Sequence, residues 1–390
     1  MKEWLIVGGG VHGCTIATAL LKSNRVNNDQ IQIIDPSLRP MNRWKVLTER
    51  ISMEHLRSPV VHHIDTKPSS LEAYAKQTNR KRALHGYYQK PCLELFNDHC
   101  DHVLKEVDLK SVWKSATVKG LGFKNHTWKV TTEEDEQIVS KKVVLAIGVN
   151  DQPNYPGWAI PLREQLPERV FHIFKQPIPP SISGDRLPPV IVGGGITAAH
   201  LTVKLCSESK QPVVLIKRHP FRIHEFDSDP GWNGPKKLRN FDKVEDPNQR
   251  RSIIQKERYK GSIPRHLYMK LLHLQRKGKL NIITDDIYEA AVTSKEEITI
   301  QLKAHPSITT SRVVLATGAK RCLPGKSWLL RTIQAQNLRC AECGFPIVNY
   351  NLEWGKDLYV AGALAELEIG PVSRNISGAR KVAERIIGNL

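Results

Sequence analysis

One local pattern occurs twice in the chain and constrains most of its architecture. A short apolar run, a glycine cluster and an apolar helical stretch follow one another from residue 5 and again from residue 190. Each unit continues into a second apolar run, at residues 31–34 and 213–216. Short apolar runs separated by a helix indicate buried parallel strands joined by a crossover. The pattern therefore predicts two doubly wound α/β units.

The two units also end alike. Residues 142–148 read KVVLAIG and residues 312–318 read RVVLATG, in each case an apolar strand closed by a glycine. The repeat therefore covers whole domains, and we predict an α/β fold of two Rossmann-like dinucleotide-binding domains, the second inserted in the first. The expected boundaries are 1–155 and 311–390 for the first domain, 185–310 for the second, and 156–184 for a linker that becomes rich in proline.

The first glycine cluster fits the GxGxxG pattern at Gly8, Gly10 and Gly13. In this pattern the first glycine permits a tight turn, the second lets the backbone approach a pyrophosphate, and the third lets helix and strand pack closely. Asp35 follows the next strand directly, where an acid can hold ribose hydroxyls. The order of strand, turn, helix, strand and acid predicts a dinucleotide site.

The second cluster departs from the first in its side chains. Gly193 and Gly195 are followed by alanine in the third place, with Thr197 inside the turn. The next strand ends in Lys217 and Arg218 and has no acid. A carboxylate there would repel a 2′-phosphate, whereas a guanidinium can pair with it. This end favours NADPH over NADH, and a solvated basic turn is the structural alternative.

Two dinucleotide sites in one chain have a chemical rationale, because a nicotinamide donates hydride and a flavin accepts it. The first site is expected to hold FAD, since its acid suits a ribose without a 2′-phosphate. Gly318 ends a strand near the sites, Gly362 forms a later turn, and a helix is expected from about Asn375. The start of that helix either places a positive dipole near the flavin or only closes the domain.

With these turns and the Ala-Thr-Gly strand end at residues 316–318, the chain resembles the two-dinucleotide-binding-domain flavoproteins. Within them it is most similar to the flavin-containing and N-hydroxylating monooxygenases, which include ornithine and lysine N-hydroxylases. The narrower resemblance rests on residues 42–45, Met53 and residues 56–59, which are similar to a segment that those enzymes place beside the flavin. It implies that Trp44 lies near the flavin or the substrate, and a core tryptophan is the structural alternative. Lys45 stands where the family has histidine.

The resemblance implies a monooxygenase in which NADPH reduces FAD and a C4a-hydroperoxyflavin delivers oxygen to an amine, sulfur or carbonyl compound. An alternative is an NADPH-dependent flavin reductase of a disulfide, a quinone or another small molecule, because Cys340 and Cys343 form a CxxC pair. A second alternative is a nucleotide-binding regulatory flavoprotein. No catalytic side chain and no metal site are assigned. Arg57 is either a flavin or substrate neighbour or an exposed arginine, and Glu366 either transfers protons or only forms hydrogen bonds.

Composition narrows the partners. Lys plus Arg outnumber Asp plus Glu by 58 to 39, a formal net charge of +19, which favours anions. Basic residues cluster at 236–260 without a nucleic-acid-binding module, so a solvated surface is expected there and a small-molecule substrate is the expected partner. A homo-oligomer is compatible with the sequence. No membrane span or signal peptide is expected, and the odd count of seven cysteines indicates a reducing compartment, the cytoplasm.

Overall fold

The computed structural model describes residues 1–149, 151–179, 185–293 and 296–388. The predicted boundaries also extend over residues 150, 180–184, 294–295 and 389–390, which lie outside the described residues. Two parallel sheets organise the chain, and the predicted α/β fold with two Rossmann-like units is confirmed. Among the described residues, no helix is both long and apolar enough to cross a membrane.

The first sheet has eight strands, and its central strand is the first apolar run of the chain. That strand pairs in parallel with the strands on both sides, with Ile6 opposite Ile33 on one side and Val144 on the other. The central parts of these strands are buried and apolar, at residues 4–7, 33–34 and 143–145, as expected for a parallel sheet covered on both faces. Its strands are β1 (Lys2–Val7), β2 (Ile31–Asp35), β5 (Trp113–Ser115), β6 (Val118–Lys124), β7 (Thr127–Thr132), β8 (Gln137–Leu145), β19 (Glu353–Gly355) and β20 (Leu358–Val360).

Helices pack against the first sheet, and three more helices lie in the segment between β2 and β5. The crossover helix α1 packs against the last helix of the chain, α12, so the C-terminal segment completes the first domain. The remaining elements of this part are α1 (Val11–Lys22), α2 (Asn42–Arg50), α3 (Ser70–Gln77), β3 (Leu84–His85), β4 (Lys90–Pro91), α4 (Leu93–Glu106), α10 (Lys326–Ala335), α11 (Glu366–Ile369) and α12 (Ile376–Gly388).

The second sheet has five parallel strands in the order β14-β11-β10-β18-β9. Helices α6 and α9 pack together beside it, and a three-stranded antiparallel sheet of β15, β16 and β17 precedes its last strand in the chain. The elements are α5 (Ala159–Gln165), β9 (Val170–His172), β10 (Val190–Val192), α6 (Ile196–Glu208), β11 (Val213–Lys217), α9 (Arg265–Arg276), β14 (Leu280–Thr284), β15 (Ile287–Val292), β16 (Ile298–Leu302), β17 (Ile308–Thr310) and β18 (Val313–Leu315).

Two predicted boundaries are wrong. Strand β18 pairs with β10, with Val314 opposite Ile191, so the second unit extends past residue 311. The segment 156–184 is not merely a linker, because it contains α5 and because β9 is an edge strand of the second sheet. The physical reason is the repeat itself: β18 lies beside β10 in the second sheet, as β8 lies beside β1 in the first sheet.

The basic segment that follows β11 folds into a small unit, which we call the helical insertion and define as residues 221–261. It contains β12 (Arg222–Ile223), α7 (Pro235–Asp242) and α8 (Pro247–Glu257), and β12 pairs with β13 (Ser262–Ile263). Trp232, Phe241 and Ile254 are buried in the hydrophobic core of the first domain. The helical insertion is therefore docked on the other domain, and its basic residues are only partly on a solvated surface.

Candidate functional site

A large cavity lies between the two sheets. Its volume is about 1990 Å³, well above the roughly 300–1,000 Å³ of ordinary ligand pockets. Both glycine turns open into it, as expected at the carboxyl ends of parallel strands. Every predicted cofactor-binding residue except Gly13 lines it: Gly8, Gly10, Asp35, Trp44, Gly193, Gly195, Thr197, Lys217, Arg218, Gly318, Gly362 and Asn375.

The three glycines of the first turn serve different physical needs. Gly8 has a φ of +105°, and a Cβ there would lie 2.5 Å from the carbonyl oxygen of Ala146. A Cβ on Gly13 would lie 1.8 Å from the carbonyl oxygen of Gly8, so this glycine permits helix α1 to pack on the turn. A Cβ on Gly10 would meet nothing within 4 Å. The space beside Gly10, next to the unpaired N–H groups that begin a helix, fits a pyrophosphate.

Asp35 is held at this turn by backbone hydrogen bonds. The N–H of Gly9 donates to its Oδ2 at 2.7 Å, and the N–H of Ser37 donates to its Oδ1 at 2.8 Å. A carboxylate oxygen can accept more than one hydrogen bond, so both oxygens retain capacity for ligand hydroxyls. The acid is thus fixed in place at the cavity wall before any ligand binds.

The second turn repeats the backbone geometry of the first. Gly193 has a φ of +154°, and a Cβ there would lie 2.5 Å from the carbonyl oxygen of Ala316. A Cβ on Gly195 would lie 3.4 Å from the Cα of Gly261, which belongs to the helical insertion. The second turn is therefore more closely covered than the first, by the segment that crosses between the domains.

The two basic residues after β11 differ in their surroundings. Lys217 is only 5% exposed; its ammonium donates to the hydroxyl of Thr284 and to the carbonyl oxygen of His219, the latter at 3.2 Å. Burial lowers the pKa of Lys217. Arg218 is exposed, and it makes no hydrogen bond or ion pair with the residues that the structure describes. Of these two residues, Arg218 is therefore the one whose charged group is available to bind an anion.

Trp44 and Arg57 have separate roles in the structure. The indole N–H of Trp44 donates to Oδ1 of Asn97 at 3.0 Å, so the ring packs on α4 while lining the cavity. Arg57 is half-buried and donates from Nη2 to the carbonyl oxygen of His224 at 2.6 Å, and its Nη1 pairs with Asp227 at 2.6 Å. The alternative of an exposed arginine is wrong, because Arg57 ties the first domain to the helical insertion.

A buried acid surrounded by arginines forms a feature that the sequence did not reveal. Glu366 is 1% exposed, and Arg374 donates to both of its oxygens at 2.7 and 3.0 Å. Arg251 donates to Oε1, and Nη1 of Arg258 lies 3.7 Å from Oε2. Burial alone would raise the pKa of Glu366, but Arg374 and Arg251 outweigh it and hold the pKa below its usual value. Glu366 is thus a permanently charged anchor and is unsuited to proton transfer at neutral pH.

The two cysteines of the CxxC pair differ in their exposure. Cys343 is exposed and lines the cavity, and Nε of Arg251 donates to its Sγ at 3.3 Å. Cys340 is half-buried, and burial raises its pKa, with Cys343 adding to the effect. Among the described residues, no group of three histidine, cysteine or acidic side chains is arranged to hold a metal ion.

Comparisons with known proteins agree with this geometry. Residues 5–150 match a family model described as FAD-NAD(P)-binding, so this part of the chain is an FAD-NAD(P)-binding domain. No curated protein matches the sequence. The chain has the fold of the flavoproteins with two dinucleotide-binding domains, as three solved structures illustrate.

The first is the FAD-bound cadaverine monooxygenase of desferrioxamine biosynthesis from Erwinia amylovora, with a TM-score of 0.76, 17% identity, and coverage of 100% of this chain and 95% of that one. The ornithine hydroxylase of Pseudomonas aeruginosa in its reduced form also has a TM-score of 0.76 and 17% identity, covering 99% and 98%. The bacillithiol disulfide reductase of Staphylococcus aureus has a TM-score of 0.62 and 16% identity, covering 100% and 98%. At these identities the likeness is one of fold.

Proposed function

We propose that the protein is an FAD- and NADPH-dependent oxidoreductase, a monooxygenase that acts on an amine, sulfur or carbonyl small molecule. The observation that carries the proposal is that both glycine turns open into one cavity. Dinucleotides held at the two turns would therefore face the same enclosed space. The cadaverine monooxygenase and the ornithine hydroxylase share the fold over nearly the whole chain, which supports the choice of monooxygenase.

The residues of the chain divide between the two cofactors. Gly10 and Asp35 would hold the pyrophosphate and ribose of FAD, and Gly195 and Arg218 would hold NADPH. Bound together, the cofactors supply hydride transfer from nicotinamide to flavin and activation of dioxygen by the reduced flavin. The protein's own contribution is to position the two and to exclude water. The docked helical insertion serves the second need, because residues such as Arg258 and Gly261 form one wall of the cavity.

A reductase is the second candidate, and Cys343 favours it. A dithiol that reduces disulfides needs a sulfur that its substrate can reach. Cys343 is exposed at the cavity wall, where Nε of Arg251 donates to its Sγ, and Cys340 lies three residues earlier in the chain. In this reaction NADPH would supply a hydride and the solvent a proton, which together convert a disulfide into two thiols, and bound FAD would supply the electron transfer between them. The bacillithiol disulfide reductase has the same fold.

Oxygen and peroxide balances separate the two candidates. The FAD-loaded protein would be supplied with NADPH and a panel of amines, thiols, ketones and disulfides. The monooxygenase predicts substrate-stimulated oxygen uptake, little peroxide, and a product heavier by one oxygen atom. The reductase predicts NADPH oxidation by disulfides without oxygen, lost in Cys343→Ser and retained in the control Cys322→Ser, whose thiol lies outside this cavity. If NADPH oxidation is coupled neither to oxygenation of a substrate nor to reduction of a disulfide, both proposals are contradicted.

A further inference from the structure

The centre of the cavity wall carries more positive charge than its acids neutralise. Arg251, Arg258 and Arg374 converge on the single carboxylate of Glu366. Lys260 and Arg321 also line the cavity. Burial lowers the pKa of Lys260, and the nearby charges of Arg321, Arg258 and Arg374 lower it further. Charges of one sign held together inside a cavity repel one another, and a bound anion would offset that repulsion.

Several donors of this group have no partner within the protein. Arg258 contacts Glu366 only at 3.7 Å and makes no hydrogen bond through its side chain with the described residues. Nη2 of Arg251 is buried and has no hydrogen-bond partner. The side chains of Lys260, which is half-buried, and of Arg321, which is exposed, likewise make no hydrogen bond or ion pair in the described part of the chain. Buried polar groups normally have partners, so the unpartnered Nη2 of Arg251 at the cavity wall points to a ligand.

The position of these donors relates them to both proposed cofactor sites. Lys260 precedes Gly261, whose Cα lies 3.4 Å from where a Cβ of Gly195 would be, so it adjoins the second turn. Arg374 precedes Asn375, at the start of the helix that completes the first domain. The donors therefore line the part of the cavity that lies between the two turns.

We infer that the acceptor substrate carries a carboxylate or phosphate group, which binds in this cavity to Arg258 together with Lys260 and Arg321. The inference rests on the proposed function, because it names the class of acceptor that the same cavity takes. Arg258 forms charge-assisted hydrogen bonds with the anion, and Glu366 holds the other two guanidinium groups in place. The group that the oxygen atom or the electrons reach is a different part of the same substrate molecule.

Equilibrium dialysis with labelled malonate and inorganic phosphate tests the inference without turnover. The FAD-loaded protein is dialysed in the presence and absence of saturating NADP⁺. We expect saturable binding of one or both anions that persists with NADP⁺, and malonate binding at least tenfold tighter than that of its uncharged diamide, malonamide. Arg258→Gln should weaken anion binding at least tenfold. Lys256→Gln removes the same charge from the exposed side of α8 and should bind like the wild type.

Three results would overturn the inference: no saturable binding of either anion, unchanged binding in Arg258→Gln, or displacement of the anion by NADP⁺. The last would assign the arginines to the phosphates of the dinucleotide. Reduction of FAD by NADPH is measured on the same preparations. A preparation that reduces FAD but binds no anion contradicts only this inference, whereas one that fails to reduce FAD contradicts the proposed function.

Discussion

The two glycine turns share a backbone and differ in the side chain that follows the next strand. In both, the first glycine has a positive φ and abuts the carbonyl of the neighbouring strand, at Ala146 and at Ala316. In the first turn Asp35 is bound to the turn's own N–H group, whereas in the second Arg218 is exposed and unpaired among the described residues. The shared backbone fits a dinucleotide at either turn, and we propose that the side chain after the next strand sets which dinucleotide each turn accepts.

The largest expected effect comes from filling the first cradle. Gly10→Val places a branched side chain in the open space beside the first turn, where the pyrophosphate would lie. We expect the purified variant to retain no FAD, as measured by the visible absorbance of the folded protein.

Gly122→Val is a matched control, because a Cβ there also meets nothing within 4 Å but lies outside the cavity. It should remain yellow. Gly195→Val should do the reverse of Gly10→Val, keeping FAD while losing NADPH. A fully loaded Gly10→Val protein would contradict the assignment of the first turn.

A smaller effect is expected from the side chain that distinguishes the second turn. Arg218→Glu should weaken NADPH by roughly 1–3 kcal/mol, or about 5- to 150-fold, and NADH much less, since only NADPH has a 2′-phosphate to repel. The measurement is the dissociation constant of each nucleotide from the rate of anaerobic flavin reduction.

Lys217→Gln tests whether the preference for NADPH depends on Arg218 in particular. Its ammonium is already bonded to Thr284 and His219, so its loss should alter the preference between NADPH and NADH less than the loss of Arg218. Equal weakening of both nucleotides in Arg218→Glu would rule out a role in phosphate recognition.

The smallest effect concerns the helices that follow the two turns, because each carries a shielded histidine. Burial lowers the pKa of His12 on α1 and of His200 on α6 to about 4. The unfolded chain binds protons near pH 6.5 while the native protein does not, so stability is complete above that pH and falls as the pH drops toward 4. Each of the two imidazoles should lower the free energy of unfolding at pH 5.5 by roughly 1 kcal/mol relative to neutral pH.

Denaturant unfolding between pH 7.5 and 5 checks this. The free energy of unfolding of His200→Gln should depend less steeply on pH than that of the wild type, because one buried imidazole is missing. A dependence as steep as that of the wild type would show that His200 is charged in the native protein.

The sequence predicted the parts of the site that depend on local backbone geometry. Glycines at fixed spacing, and an acid directly after a strand, carry that information within about thirty residues. The pairing of Glu366 with arginines could not be predicted in this way, because its partners Arg251 and Arg258 are more than a hundred residues away in the chain.

The helical insertion was harder to predict for a different reason. Prolines are typical of loops as well as of helix starts, and in this segment Pro235 and Pro247 each begin a helix, where a missing N–H costs nothing. Asp246 then caps α8, its side chain accepting the N–H of Asn248 at 2.9 Å. The apolar anchors Trp232 and Phe241 are isolated in a charged segment, so their burial against the first domain became evident only from the structure.

An anaerobic titration of the FAD-reconstituted protein with NADPH is the most direct test of two cofactors meeting in one cavity. The visible flavin absorbance should correspond to one FAD per chain and should bleach with one equivalent of NADPH, far faster than with NADH. The Gly195→Val protein should stay yellow. A protein that takes up no FAD, or whose bound FAD is not bleached by NADPH, would contradict the account.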